Sequence, residues 1–234
     1  PMGARSTAAL SLGLLAGLAV APAWADDARD CRNLSFRPVE VTVPACTRLI
    51  ETGGLGAQDL ALALRRRADA YYFARLDPGV RDAAWPELLV RALDDLDRAA
   101  ALAEIDAAPA DPPFVLGMLP MARADVLFAL ERYDEAAEAY AEAAGLSPAS
   151  TGPRSGRAWA LAAAGRPGEA LAELDALVRD HPADAGWLFH RGRMREGMGD
   201  LEAALADFRA VLDAVPDHAG AAQALERLAA EDVR

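Results

Sequence analysis

The sequence predicts an all-α chain of stacked antiparallel helix pairs closed by one capping helix. Three observations carry this. A proline recurs every 34 residues, at Pro148, Pro182 and Pro216. Ala136, Ala170 and Ala204 each stand twelve residues before one of these prolines, and a large residue follows each alanine by four, at Tyr140, Leu174 and Phe208. An arginine followed by a small residue repeats in the same register, as Arg123-Ala124, Arg157-Ala158 and Arg191-Gly192. A period of this length marks a helical repeat array, in which each unit buries its apolar face against its neighbours.

The segments follow in order. Residues 1–25 read as a secretory signal peptide: Arg5 is the only charge before residue 26, residues 8–20 are apolar, and Ala23-Trp24-Ala25 is a small-x-small site that places cleavage after Ala25. The apolar run is short for a membrane span, so no membrane association is expected once it is cleaved. Residues 26–56 hold Cys31 and Cys46, the only two cysteines. An even count in an exported chain predicts a disulfide, worth roughly 3 kcal/mol for so short a loop. The stretch between them, RNLSFRPVEVTVPA, is the least helical after the leader, so this segment is expected to rely on the staple.

Residues 57–116 read as a degenerate helix pair. Arg67-Ala68 and Ala92-x3-Leu96 echo the repeat, but the small residue and the alanine lie 24 apart here instead of 12. An insertion near 76–86, with Asp77-Pro78-Gly79 as its turn, accounts for the difference. A second loop, 107–113, leads into the regular units 117–150, 151–184 and 185–218.

In the third unit Gly199-Asp200 breaks two helical stretches, and Asp200 is placed to cap the second. Residues 201–214 set Leu201, Leu205, Phe208, Val211 and Leu212 on one stripe. Pro216 stops the unit. Gly165 takes the turn in the second unit, and Glu131-Arg132-Tyr133-Asp134 in the first. Residues 219–234 are expected to form the capping helix that an array needs over its last apolar face.

This frame resembles the tetratricopeptide repeat (TPR), with its small residue in the first helix, Ala-x3-large in the second and terminal proline. It departs from the pattern where Pro120, Arg154 and Leu188 replace an early aromatic, and where Leu127, Leu161 and Arg195 replace a tyrosine. Residues 45–72 also resemble the start of exported proteobacterial TPR proteins. The resemblance implies a TPR-like right-handed α-solenoid and a non-catalytic scaffold or adaptor for other proteins. With the leader, it implies the periplasm of a Gram-negative bacterium.

In such arrays the first helix of each unit lines a concave groove. Positions i, i+4 and i+7 of that helix give Met121, Asp125 and Phe128, then Ser155, Trp159 and Ala162, then Phe189, Arg193 and Glu196. Met121, Asp125, Phe128, Trp159, Phe189 and Arg193 are the candidate partner-binding residues, suited to an extended or helical peptide. The same spacing equally allows Phe128, Trp159 and Phe189 to pack between helices. The stripe has no lysine or asparagine, so the terminal-carboxylate grip of better-known TPRs is not carried over.

The remaining composition mostly excludes. The formal net charge is −12, which argues against a nucleic-acid partner. His181, His190 and His218 have no second histidine or cysteine at ligand spacing, so no metal is expected. No nucleophile elbow, phosphate loop or His-Glu-x-x-His motif is present, so neither enzyme nor cofactor is expected. Asp94, Asp95, Asp97 and Glu104 read as a solvated helix face, and Arg65-Arg66-Arg67 as a solvated run self-paired through Asp69. Two alternatives stay open: an exported enzyme whose site uses loops 76–86 and 107–113, and a self-association module.

Overall fold

The computed structural model describes residues 23–32, 39–74, 84–105 and 118–231. These form eleven helices and no strand. The helices are α1 (Ala23–Arg32), α2 (Val39–Thr52), α3 (Ala57–Phe73), α4 (Trp85–Ile105), α5 (Leu119–Ala129), α6 (Tyr133–Leu146), α7 (Thr151–Ala163), α8 (Pro167–Asp180), α9 (Ala185–Gly197), α10 (Leu201–Ala214) and α11 (Ala219–Glu231). Helices consecutive in sequence pack on each other along the chain. A second row of contacts joins alternate helices, α1 to α3, α3 to α5 and α5 to α7. Trp159 of α7 then meets His190 of α9, and Phe189 of α9 approaches Gly220 of α11. The odd-numbered helices thus form one layer and the even-numbered helices back it, which is a solenoid of helix pairs.

The recurring residues have separate tasks. α6, α8 and α10 end at Leu146, Asp180 and Ala214, two residues before Pro148, Pro182 and Pro216, which sit in the turns between units. Ala136, Ala170 and Ala204 are wholly buried at the crossings of paired helices, and Leu174 and Phe208 fill the space beside them. A Cβ on Gly192 would come within 2.8 Å of the Phe208 ring, and one on Gly156 would collide with the Tyr140 ring. Small and large side chains therefore complement each other within a pair at Gly192 and between neighbouring pairs at Gly156. Asp200 caps α10, accepting from the Ala203 N–H at 3.4 Å.

The turn inside each unit demands a left-handed residue. Gly165 and Gly199 supply it at φ 77° and 81°, and in the first unit Glu131 adopts φ 60° at the equivalent place. That backbone costs a residue with a Cβ roughly 1–2 kcal/mol. The first unit tolerates it because its flanking helices fix the turn: the Arg132 N–H donates to the Leu127 carbonyl at 2.9 Å, as that of Arg166 does to Leu161.

Several expectations change. The second half of the stretch between the cysteines is helical: Val39, Val41, Thr42 and Val43 lie in α2, which even contains Pro44, while residues 33–38 lie outside the described residues. Local propensity argued against a helix there. Burial of Ala45, Cys46 and Leu49 against α1 and α3 outweighs it. Cys31 and Cys46 stand at disulfide distance, S–S 2.16 Å, so the staple ties an additional antiparallel pair, α1–α2. The end of the first insertion is also helical, since α4 begins at Trp85. The last helix is described from Ala219 to Glu231, and residues 232–234 lie outside the described residues. Residues 1–22, most of 76–86 and all of 107–113 lie outside the described residues, and the expected cleavage point falls inside α1. No helix among the described residues is long and apolar enough to cross a membrane.

Candidate partner-binding surface

The arginine of each Arg-small pair is an interhelical clamp. Arg191 of α9 donates to both carboxylate oxygens of Asp207 on α10, at 2.6 and 3.0 Å, and reaches Asp175 on the preceding α8 at 3.0 Å. Arg157 pairs with Glu173, sixteen residues on, as Asp207 is from Arg191. In the degenerate pair Arg67 donates twice to Asp95 at 2.7 Å, across a span lengthened by the insertion. In the first unit Ala139 occupies the acid's place, and Arg123 pairs back with Asp97 of α4 at 2.7 Å. Asp95 and Asp207 are buried. This corrects two sequence readings. Asp95 is buried in the ladder and does not belong to a solvated face, whereas Asp97 is exposed as expected and pairs with Arg123; Arg67 reaches across to α4 and not to Asp69. The signal was available: an acid sixteen residues after the arginine recurs in the second and third units.

The layer of odd-numbered helices carries the predicted groove residues, and each is engaged. Met121 and Phe128 are half-buried on the central core. Phe128 also meets the Tyr133 ring edge-on at 5.3 Å. Asp125 accepts a hydrogen bond from the Tyr140 hydroxyl at 2.6 Å. Burial and this bond push the Tyr140 hydroxyl pKa up, since ionising it would set a second negative charge beside Asp125. Trp159 stands edge-on to His190 at 4.8 Å. Phe189 packs between Phe208 at 5.9 Å and His218 at 4.7 Å. Arg193 is exposed, with Glu196 at 3.8 Å. The three aromatics thus pack between helices while each keeps part of its surface accessible.

Two features of this layer were not foreseen. His190 lies among Trp159, Trp187 and Phe189, and burial in that aromatic setting holds its pKa below the usual 6.5. A cleft of about 200 Å³ opens between α3 and α5, lined by Arg65, Asp69, Tyr72, Met121 and Asp125. Arg65, in this cleft, and Arg66, beside it, are largely covered and not solvated, and each lies 3.8 Å from Asp69. Among the described residues no cluster of three potential ligands could hold a metal.

Comparison with known proteins agrees with this geometry. Residues 127–188 match the tetratricopeptide repeat family. No curated protein matches the chain. Among solved structures it is similar to YrrB, described as a TPR protein with an unusual peptide-binding site. The identity is 21%, the TM-score 0.59, and 80% of this chain covers 84% of that one. It is also similar to MamA from Desulfovibrio magneticus RS-1, at 15% identity and TM-score 0.61, with 84% of this chain covering 95% of the other. At such identities the likeness establishes the fold, which is that of the TPR solenoids.

Proposed function

We propose that this tetratricopeptide-repeat protein is a non-catalytic interaction scaffold that holds a peptide or helix of a partner protein against its odd-numbered helices. One observation carries the reading: Met121, Trp159 and Phe189, from three successive first helices, are each half-buried in a single layer. Side chains seated in packing yet partly accessible are preorganised, so binding costs little ordering entropy. Large aromatics are the usual anchors in such grooves. The work is done in the periplasm. The leader-like residues 1–25 and a cysteine pair at disulfide distance support export.

The test is selection of peptides from a displayed random library on the purified chain, followed by titration of the winners. Trp159→Ala and Phe189→Leu are expected to weaken binding about tenfold or more, as loss of an anchor does. Leucine is chosen at 189 because Phe189 also supports Phe208. Unchanged affinity in both variants, with helical circular dichroism intact, would sink the groove assignment.

A further inference from the structure

The helix caps of the repeat end on a titratable residue. Ser150, Asp184 and His218 stand 34 residues apart, each immediately before an odd-numbered helix, α7, α9 and α11. Asp184 caps α9 by accepting from the Gly186 N–H at 2.9 Å. His218 caps α11 with its ring, where Nδ1 accepts from the Ala221 N–H at 3.1 Å. The His218 carbonyl also lies 3.1 Å from that N–H, but it accepts from Ala222 as well, at 3.2 Å. The ring nitrogen thus takes up demand that one carbonyl shares between two donors.

A ring nitrogen accepts only while it carries no proton. Neutral imidazole keeps one acceptor, whereas imidazolium has two donors and none. An imidazolium here would also set a positive charge at a helix N-terminus, where the macrodipole opposes it. The titratable groups around His218 are His190 and Asp184 from α9 and its cap, His181 from the turn before it, and the adjoining Asp217. The end of α10 adds only Ala214 and Val215. Among the described residues none of these groups forms a hydrogen bond or ion pair with the His218 ring, so the Ala221 N–H is its one polar contact. The same ring supports Phe189 at 4.7 Å. A Cβ on Gly220, in the first turn of α11, would come within 2.9 Å of Phe189. The first turn of α11 and the Phe189 ring are therefore held together.

We propose that His218 is an acid-sensitive cap: neutral, it pins the first turn of α11 against Phe189, and protonated, it releases both. The device goes beyond the groove reading and does not depend on it. Histidine changes its charge between about pH 5 and 8. The cap is made on the alkaline side of that change and lost on the acid side.

Nuclear magnetic resonance of the purified chain tests this. At about pH 8 the Nδ1 of His218 should show the chemical shift of an unprotonated ring nitrogen. Hydrogen-exchange protection of the Ala221 and Ala222 amides should fall about fivefold as the His218 ring titrates, the loss of a typical N-cap. The Gly186 amide, capped by a carboxylate, should not follow. His218→Asn should keep protection high throughout, since asparagine caps without titrating. His218→Ala should keep it low throughout. A proton on Nδ1 at about pH 8 overturns the proposal. So does protection that stays constant while the ring titrates, or that falls alike in the asparagine variant. The two measurements on the unaltered chain decide the matter if a substitution disturbs folding.

Discussion

Arg191 and Asp207 are joined by two hydrogen bonds of 2.6 and 3.0 Å across the α9–α10 pair, and the Asp207 side chain is 4% exposed. Arg195 reaches the same carboxylate at 2.9 Å. A buried carboxylate held by two guanidinium groups makes the arginine of the repeat a structural residue. The recurrence of that arginine therefore reports on stacking and not on a ligand.

Asp207→Ala should accordingly destabilise the chain by about 3 kcal/mol, the low end for breaking a buried pair, because it leaves two partly buried cations with only the more exposed Asp175 as partner. Asp134→Ala, which breaks an exposed pair with Arg166, should cost less than about 1 kcal/mol. Urea denaturation followed by circular dichroism compares the two, and equal losses would refute the ladder.

Gly192 and Phe208 form a small–large pair for which the second unit carries the alternative solution, Ala158 with Leu174. Gly192→Ala alone should cost about 1–3 kcal/mol by overpacking. Adding Phe208→Leu should recover part of that loss, leaving the double variant more stable than the two single changes would sum to. Strict additivity in a double-mutant cycle would show that the two residues do not share the crossing.

Glu131 at φ 60° occupies a glycine's place. Glu131→Gly should raise stability by about 0.5–1 kcal/mol, the left-handed strain relieved less the added chain entropy. Gly165→Ala should lower it by about 1 kcal/mol for the converse reason. Thermal melts of the two variants are expected to move in opposite directions.

His190 gives the stability of the fold a pH dependence with a definite sign. Its folded pKa is lowered below 6.5, first by burial, which outweighs the opposing effect of Asp184, with lesser lowering by Arg193 and His218. Stability is thus fully present above the unfolded value near 6.5, and is lost as pH falls through the folded value. The urea midpoint should decline on acidification below about pH 6.5, and His190→Gln should flatten that decline. An identical profile in the variant would show that the loss comes from other groups.

How much could be read from sequence follows from how local each feature is. The prolines, Ala136, Ala170, Ala204 and the turn glycines repeat because every unit solves the same packing problem, so periodicity exposes them. Helix α2 was hidden because Val39, Val41, Thr42, Val43 and Pro44 oppose a helix locally, and only burial of Cys46 and Leu49 overrides them. Asp69 and Arg65 looked like surface charges because a charge run does not reveal what packs over it. The cover comes from α5, beyond two loops.

The sequence by itself determined the all-α repeat, its 34-residue register, the ends of its regular helices and the identity of the small–large pairs. These rest on backbone rules and near-neighbour packing that recur in every unit. Tertiary structure alone decided that Asp95 and Asp207, the acids that the arginines clamp, are buried, that the cysteine segment is a helix pair, and that Asp69, Asp125 and Arg65 share one cleft. Each of these depends on distant segments meeting and excluding water, and no spacing along a chain encodes desolvation.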